Sequence, residues 1–161
     1  VTLTRPDGSS RVIATGHNLD DECQNIMMNL FKGNTEISAR LGPISGVMER
    51  EGFTRRIKPL YFCTEKEIAA YAFLKNFPVK FNECPYAANS FRSNIRDSLN
   101  EIESKNPGIK HKLAERFISL LHNLREMAGK NDLAVCKSCK SPTAGEYCGA
   151  CKFMGKIKNA T

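Results

Sequence analysis

Ala14-Thr15-Gly16-His17-Asn18-Leu19-Asp20-Asp21-Glu22, ATGHNLDDE, is the stretch from which the rest of the chain is read. It follows the apolar pair Val12-Ile13 and runs into Cys23, Ile26, Met27, Leu30 and Phe31. Those five fall at i, i+3, i+4, i+7 and i+8, the spacing that lines one face of a helix. Gly33 follows where a helix usually stops. The order is strand, tight polar turn, amphipathic helix, and in open α/β sheets ligands bind at the carboxyl ends of strands. Asp20, Asp21 and Glu22 occupy the first helical turn, where negative charge suits the helix dipole. His17 and Asn18 crowd the same turn, so two readings stand: the acids cap the helix, or they hold Mg²⁺ bridged to phosphate.

Around this turn the bulk composition is that of a folded globular protein. With 161 residues, 41% hydrophobic and 25% charged, the chain fits one medium domain plus a small module. No apolar run approaches a membrane span and the N-terminus carries no signal-peptide pattern, so no membrane partner is expected. The net charge is +7 and the pI about 9.1, which suits either a polyanionic partner or an ordinary solvated surface. Seven cysteines, four of them in two Cys-x-x-Cys pairs, fit metal binding in a reducing compartment better than a disulfide framework. The expected location is cytoplasmic.

Val1 to Ser10 reads as an extended piece and a turn at Arg5-Pro6-Asp7-Gly8: a hairpin arm, a linker or a foreign remnant. Val12 to Thr15 reads as a short buried strand, Asn34 to Glu51 as a Gly-rich loop, and Phe53 to Leu60 as a strand. In that last strand Arg55, Arg56 and Lys58 form a basic cluster, which also suits a solvated edge. Thr64 and Glu67 form a capping box for a helix to about Asn76 that buries Ile68, Tyr71 and Ala72. Phe81 to Ser90 is turn-rich and contains Cys84 just before Pro85; a lone cysteine is a small buried hydrophobe or a ligand. Cys23, on the apolar helix face, and Cys63, just before a cap, read as structural. Ser90 caps a helix from Phe91 to about Lys105 with Ile95, Leu99 and Ile102 inward, and Arg92 and Arg96 share one face. Asn106-Pro107 reads as the start of a long helix with a stripe of Ile109, Leu113, Phe117, Leu120, Leu121, Leu124 and Ala128. His111 and His122 on it have no partner motif.

From Gly129 the composition changes. Cys136-Lys137-Ser138-Cys139 and Cys148-Gly149-Ala150-Cys151 enclose eight residues. Two such knuckles suit one tetrahedral Zn²⁺; an iron–sulfur site or disulfides are the alternatives. With little apolar sequence for a core, metal binding should supply the folding free energy here. Lysines 130, 137, 140, 152, 156 and 158 face only Asp132 and Glu146, a composition suited to contacting phosphate.

The ATGHNLDDE turn, Arg56-Ile57-Lys58-Pro59-Leu60 followed by Glu65 and Glu67, Glu83-Cys84-Pro85-Tyr86 with Arg92 and Arg96, and the terminal knuckles form an ordered set. In it the chain resembles the archaeal and eukaryotic cytosolic tRNA 2-thiouridine synthetases of the PP-loop ATP pyrophosphatase superfamily, over about residues 12 to 158. The resemblance implies an α/β fold: a partial PP-loop (adenine nucleotide alpha hydrolase-like) domain over 1–128, helical in its C-terminal part, and a zinc-ribbon-like four-cysteine module over 129–161. It implies an ATP-dependent tRNA sulfurtransferase in which ATP adenylates the C2 oxygen of a uridine and sulfur then displaces AMP. Gly16, His17, Asn18 and Asp20 would lie beside ATP, with Asp20 or Asp21 catalytic or linked to Mg²⁺. Cys84 would be the third protein ligand of a labile [4Fe-4S] cluster whose other two cysteines lie outside this chain. Its open iron would bind sulfide or the thiocarboxylate of a ubiquitin-like donor. Arg92 and Arg96 would contact nucleotide or RNA phosphate, Cys136, Cys139, Cys148 and Cys151 would bind Zn²⁺, tRNA would be the partner, and a homodimer is compatible with the pattern.

Departures from the family pattern set further expectations. The Ser-Gly-Gly-Lys-Asp-Ser-like nucleotide loop and the upstream Cys-x-x-Cys are absent from these residues, as is an N-terminal zinc finger. The expectation is the C-terminal portion of such an enzyme, inactive alone. Two alternatives are a 2-thiocytidine-type PP-loop tRNA thiolase and a non-catalytic zinc-containing RNA-binding protein; the second leaves the acidic turn unexplained.

Overall fold

The computed structural model describes residues 2–4, 11–45, 55–79, 90–128, 134–143 and 145–158. Its chain divides into two compact units, Val1–Met127 and Ala128–Thr161.

In the first unit the segment around the apolar pair Val12-Ile13 forms strand β2 (Arg11–Ala14). It pairs antiparallel with β1 (Thr2–Thr4), Thr2 opposite Ile13, which makes the N-terminal piece a hairpin arm. On its other side β2 runs parallel to β4 (Arg55–Ile57), Val12 opposite Arg55. A parallel pair needs a long crossover. Helices α1 (Leu19–Phe31) and α2 (Thr35–Ser38) lie within it, followed by β3 (Ile44–Ser45), antiparallel to β4. The sheet order is β1-β2-β4-β3. Three helices follow: α3 (Glu65–Leu74), α4 (Phe91–Lys105) and α5 (Ile109–Ala128).

Local sequence explains the starts of α1, α3 and α4. Asn18 caps α1 by accepting from the Asp21 amide at 2.9 Å while Asp21 Oδ2 accepts from the Asn18 amide at 3.3 Å. Thr64 and Glu67 make the same reciprocal pair on α3. Ser90 accepts from the Ser93 amide on α4. After α1 the chain turns at Gly33 in the left-handed region (φ +65°), which glycine adopts without strain. The core joins three helices: Leu19 and Cys23 of α1, Ile95 and Leu99 of α4, Ala114 of α5, with Tyr61 from the turn after β4. Leu19, fully buried, contributes about 1.5–3 kcal/mol by burial.

Several expectations change. Only the first half of the α1 stripe is covered: Cys23 and Ile26 are buried, whereas Leu30 and Phe31 are exposed. The buried face is shifted toward the acidic end, taking in Asp20, Glu22 and Gln24. The Asn34–Glu51 loop contains α2 and β3, and strand residues Val12 to Ala14 are half-buried. α3 ends at Leu74, with Asn76 left-handed (φ 52°); Ala72 is buried but Tyr71 is exposed and Ile68 half-buried. On α4 Ile102 is exposed, and on α5 so is Leu120. Asn106-Pro107 does not start α5. Asn106 closes α4, Gly108 turns at φ +86°, and the side chain of Glu103 accepts from the amides of Gly108 and Lys110 at 2.7 and 2.9 Å. A carboxylate from the preceding helix supplies the cap that the dipeptide suggested.

In the second unit β5 (Ala134–Val135) pairs antiparallel with β6 (Pro142–Thr143), and α6 (Gly149–Lys158) follows. No helix among the described residues is long and apolar enough to cross a membrane.

Candidate active site and candidate metal centre

Consecutive residues on a helix point about 100° apart, so three acids in a row cannot share one partner. In α1 each finds its own. Asp20 Oδ2 accepts from the Glu65 amide at 2.7 Å, and Oδ1 from Lys110 Nζ at 2.5 Å. Asp21 Oδ1 accepts from Arg92 at 2.7 Å. Glu22 Oε2 accepts from Lys58 Nζ at 2.8 Å, and the charge contact to Oε1 is equally short. One helical turn thus ties α3, α4, α5 and the segment after β4 to the end of β2. Backbone bonds complete the fastening: the Thr15 amide donates to Ile57 O and the Leu19 amide to Cys63 O, at 3.0 and 2.9 Å.

Burial separates the three. Glu22 is wholly buried, Asp20 is 8% exposed, and the Asp21 side chain is 33% exposed beside a half-exposed Arg92. A buried ion pair holds geometry at a large desolvation cost. Lys110 also donates to Asn100 at 2.6 Å, and its carbonyl accepts the Cys23 thiol at 3.3 Å. Burial, helped by the Asp20 charge, pushes that thiol up to about 12, so Cys23 stays protonated and inert. Burial and the Glu22 charge likewise raise the Tyr61 phenol, whose hydroxyl has no partner among the described residues. Arg92 is also anchored by Nε to Gln24 Oε1 at 2.8 Å, and Gln24 is buried.

Of the residues read as nucleotide-facing, Asp20 lies inside this hub, and Gly16, His17 and Asn18 lie at its rim. Gly16 and His17 are exposed, and among the described residues nothing lies within 4 Å of where a Cβ on Gly16 would stand, which leaves the backbone there open on that side. Asn18 is committed to the cap. Arg92 meets Asp21, whereas Arg96 Nε donates to its neighbour Asp97 at 3.1 Å. Cys84 lies outside the described residues. His111 Nε2 is 3.1 Å from the Phe62 carbonyl oxygen, and His122 is 3.2 Å from Glu126.

Sequence reading missed Lys110 and left Lys58 in a basic cluster that also suited a solvated edge. A signal for Lys110 was present: it shares a helical stripe with Ala114 and Leu121, both buried, and a lysine in such a stripe needs a carboxylate. Gln24 sits one turn beyond Asp20 with no sequence mark at all.

In the second unit the Sγ atoms of Cys136, Cys139, Cys148 and Cys151 lie within 4.8 Å of one another, with Cys139 and Cys148 at 3.6 Å. Sulfurs about 2.3 Å from one ion at tetrahedral angles sit slightly under 4 Å apart, so the cluster fits a single four-coordinate metal. The backbone amides of Cys139 and Cys148 point at Cys136 Sγ and pull it down to about 6. Hydrogen bonds from Ser141 lower Cys139. A hydrogen bond from Ser138 favours the Cys151 thiolate, but the adjoining cysteines and burial outweigh it and push Cys151 to about 12. A bound divalent cation would favour the thiolate form of all four.

No protein-family model matches the chain. It is 36% identical over 152 residues to the tRNA-5-methyluridine(54) 2-sulfurtransferase of Pyrococcus horikoshii, covering 94% of this chain and 48% of that protein. It is 30% identical to the cytoplasmic tRNA 2-thiolation protein 1 of Danio rerio, covering 88% and 41%. Among solved structures, the U34-tRNA thiolase NcsA from Methanococcus maripaludis with its [4Fe-4S] cluster matches at a TM-score of 0.67 and 30% identity, covering 89% of this chain and 45% of that one. The chain spans about half the length of the curated relatives it matches. Over most of its length the chain is thus similar, in sequence and in fold, to tRNA 2-thiolation proteins.

Proposed function

We propose that the chain serves ATP-dependent tRNA thiolation. The C2 oxygen of a uridine attacks the α-phosphate of ATP and pyrophosphate leaves; sulfur then adds at C2 and AMP departs, giving 2-thiouridine. One observation carries this reading: 94% of the chain aligns with a relative named a tRNA 2-sulfurtransferase, the acidic turn included.

The geometry suggests how the residues divide the work. Asp20, with both oxygens engaged, acts as a positioning residue that fixes the turn. Asp21 is the accessible carboxylate and takes the Mg²⁺-linked or catalytic role, held in place by Arg92. Gly16 and His17 offer an open edge for ATP, and Asn18 keeps the helix N-terminus aimed at it. Arg92 and Arg96 are the candidates for nucleotide or RNA phosphate. In the sequence Cys84 stands six positions before Ser90, the cap of α4. Arg92, two residues past the cap, is bonded to the acidic turn. That tether supports a role for Cys84 as a [4Fe-4S] ligand near the reacting base, where the cluster, when bound, would supply an open iron for sulfide or a donor thiocarboxylate. The four thiolates of the second unit suit Zn²⁺, and its lysines suit the tRNA backbone. A homodimer and a cytoplasmic location complete the proposal.

The test is mass spectrometry of tRNA nucleosides after incubation with the native, anaerobically purified protein, ATP, Mg²⁺ and sulfide. The expected product is 2-thiouridine or its 5-methyl form, with activity lost in Asp21→Asn. Formation of 2-thiocytidine would assign another substrate, and no ATP-dependent product would overturn the proposal.

A further inference from the structure

The thiolate cluster accounts for one side of α6 and leaves its other faces without a role. At about 100° per residue, Lys152 and Lys156 fall in one narrow stripe, Phe153 about 60° further round, then the half-exposed Ile157, and Met154 beyond it. Cys151 occupies the remaining side and fastens the helix to the thiolate cluster. Phe153 is 65% exposed and Met154 54%. A single exposed apolar residue is ordinary. Here, however, an aromatic ring stands next to two lysines on a helix whose orientation a metal cluster would fix.

The charge around it is one-sided. Among the described residues of this unit the lysines are 137, 140, 152, 156 and 158, against Glu146 alone. Glu146 is already engaged by Lys137 at 2.6 Å. Lys152 and Lys156 therefore have no acidic partner among the described residues. A protein groove that took Phe153 would also have to carry acids for the lysines. A membrane surface would want a longer apolar face than a ten-residue helix provides. An unpaired polynucleotide offers both complements together, a flat base for the ring and a phosphate on either side of it for the lysines.

We infer that α6 is a base-stacking platform for unpaired RNA, with Phe153 under a base, Met154 beside it, and Lys152 and Lys156 on the flanking phosphates. This rests on the tRNA reading above and deepens it, from backbone attraction to recognition of an unstacked loop. Stacking is sequence-tolerant, so the platform selects single-stranded structure rather than a base identity.

The experiment is fluorescence anisotropy of the metal-loaded chain with three labelled RNAs of equal length: a stem-loop, an unstructured strand and a blunt duplex. Stem-loop and unstructured strand should bind more tightly than duplex. Phe153→Ala should weaken both by about tenfold or more with the salt dependence unchanged. Lys152→Ala with Lys156→Ala should flatten the salt dependence by about one to two in slope, equally for all three RNAs. Phe153→Tyr should restore binding and Phe153→Leu should not, which separates stacking from plain apolar burial. Retained metal content and helicity show that each variant is folded. RNA binding that is indifferent to Phe153 would overturn the inference while leaving the tRNA reading intact. Failure of the wild-type chain to bind any of the RNAs would overturn both. Phe153-dependent dimerisation, or Phe153-dependent binding to phosphatidylserine vesicles in place of RNA, would reassign the surface and also overturn the inference.

Discussion

Replacing Lys110 by Met is the sharpest perturbation of the acidic hub. The Lys110 side chain is 8% exposed and Asp20's is 10% exposed, with 2.5 Å between the charges. Methionine fills the space of the lysine stem but leaves the Asp20 carboxylate with one remaining donor, the Glu65 amide. It also strips Asn100 Oδ1 of a partner. Removing one member of a buried pair costs about 3–5 kcal/mol, because the survivor keeps its charge without compensation. That is a large share of the roughly 5–15 kcal/mol that holds a domain together. For a unit of this size it lowers the melting temperature by about 10–20 °C. The second half of the cycle carries the logic. In Lys110→Met with Asp20→Asn no charge is left, and the uncharged amide side chain can still accept from the Glu65 backbone N–H. The double variant should therefore recover at least about 2 kcal/mol relative to Lys110→Met. The assay is circular dichroism at 222 nm on heating, for wild type, both single variants and the double. A Lys110→Met protein melting within about 2 °C of wild type, or a double variant no better than that single, would refute the claim that this pair holds the turn.

Two further expectations concern the other fastenings. Partial burial opposes the Glu103 charge, but the amides of Lys110 and Gly108 and the charge of Lys110 prevail and hold the carboxyl below its ordinary 4.5. A depressed carboxyl stabilises the folded state above 4.5, and the contribution disappears as pH falls through the lowered value; Glu103→Gln should remove that portion, about 1 kcal/mol as for other helix caps, seen as a shallower acid limb in urea titrations from pH 6 to 3. Chelation should unfold the second unit and leave the first, so amide protection is lost over 134–158 and kept in α1 and α4; protection that survives chelation would show that the thiolate cluster folds without metal.

The sequence displayed the chemistry of this protein more openly than its packing. The helix starts at Thr64 and Ser90 were legible because caps are local, one side chain and one amide three residues on; at α1 the cap is Asn18, where the acids after it had been read as caps. The four thiolates were legible for the same reason, since each knuckle fixes two ligands within one turn. The partners of Asp20, Asp21 and Glu22 were not, because Lys110, Arg92 and Lys58 lie 90, 71 and 36 residues away. Periodicity also misled at Leu30 and Phe31 of α1 and at Tyr71 of α3, where the apolar spacing continues past the point at which another element covers it. A helical stripe says which residues could be covered together; only the tertiary fold says how far the cover extends.

The proposed chemistry requires Cys84 and the acidic turn to serve one reaction. The direct measurement is iron content and visible absorbance near 400 nm of the anaerobically purified native protein, compared with Cys84→Ser. The expected result is about four irons and a broad absorption band in the first, and loss of both in the second with the melting temperature unchanged. Equal iron and absorbance in the two would contradict it.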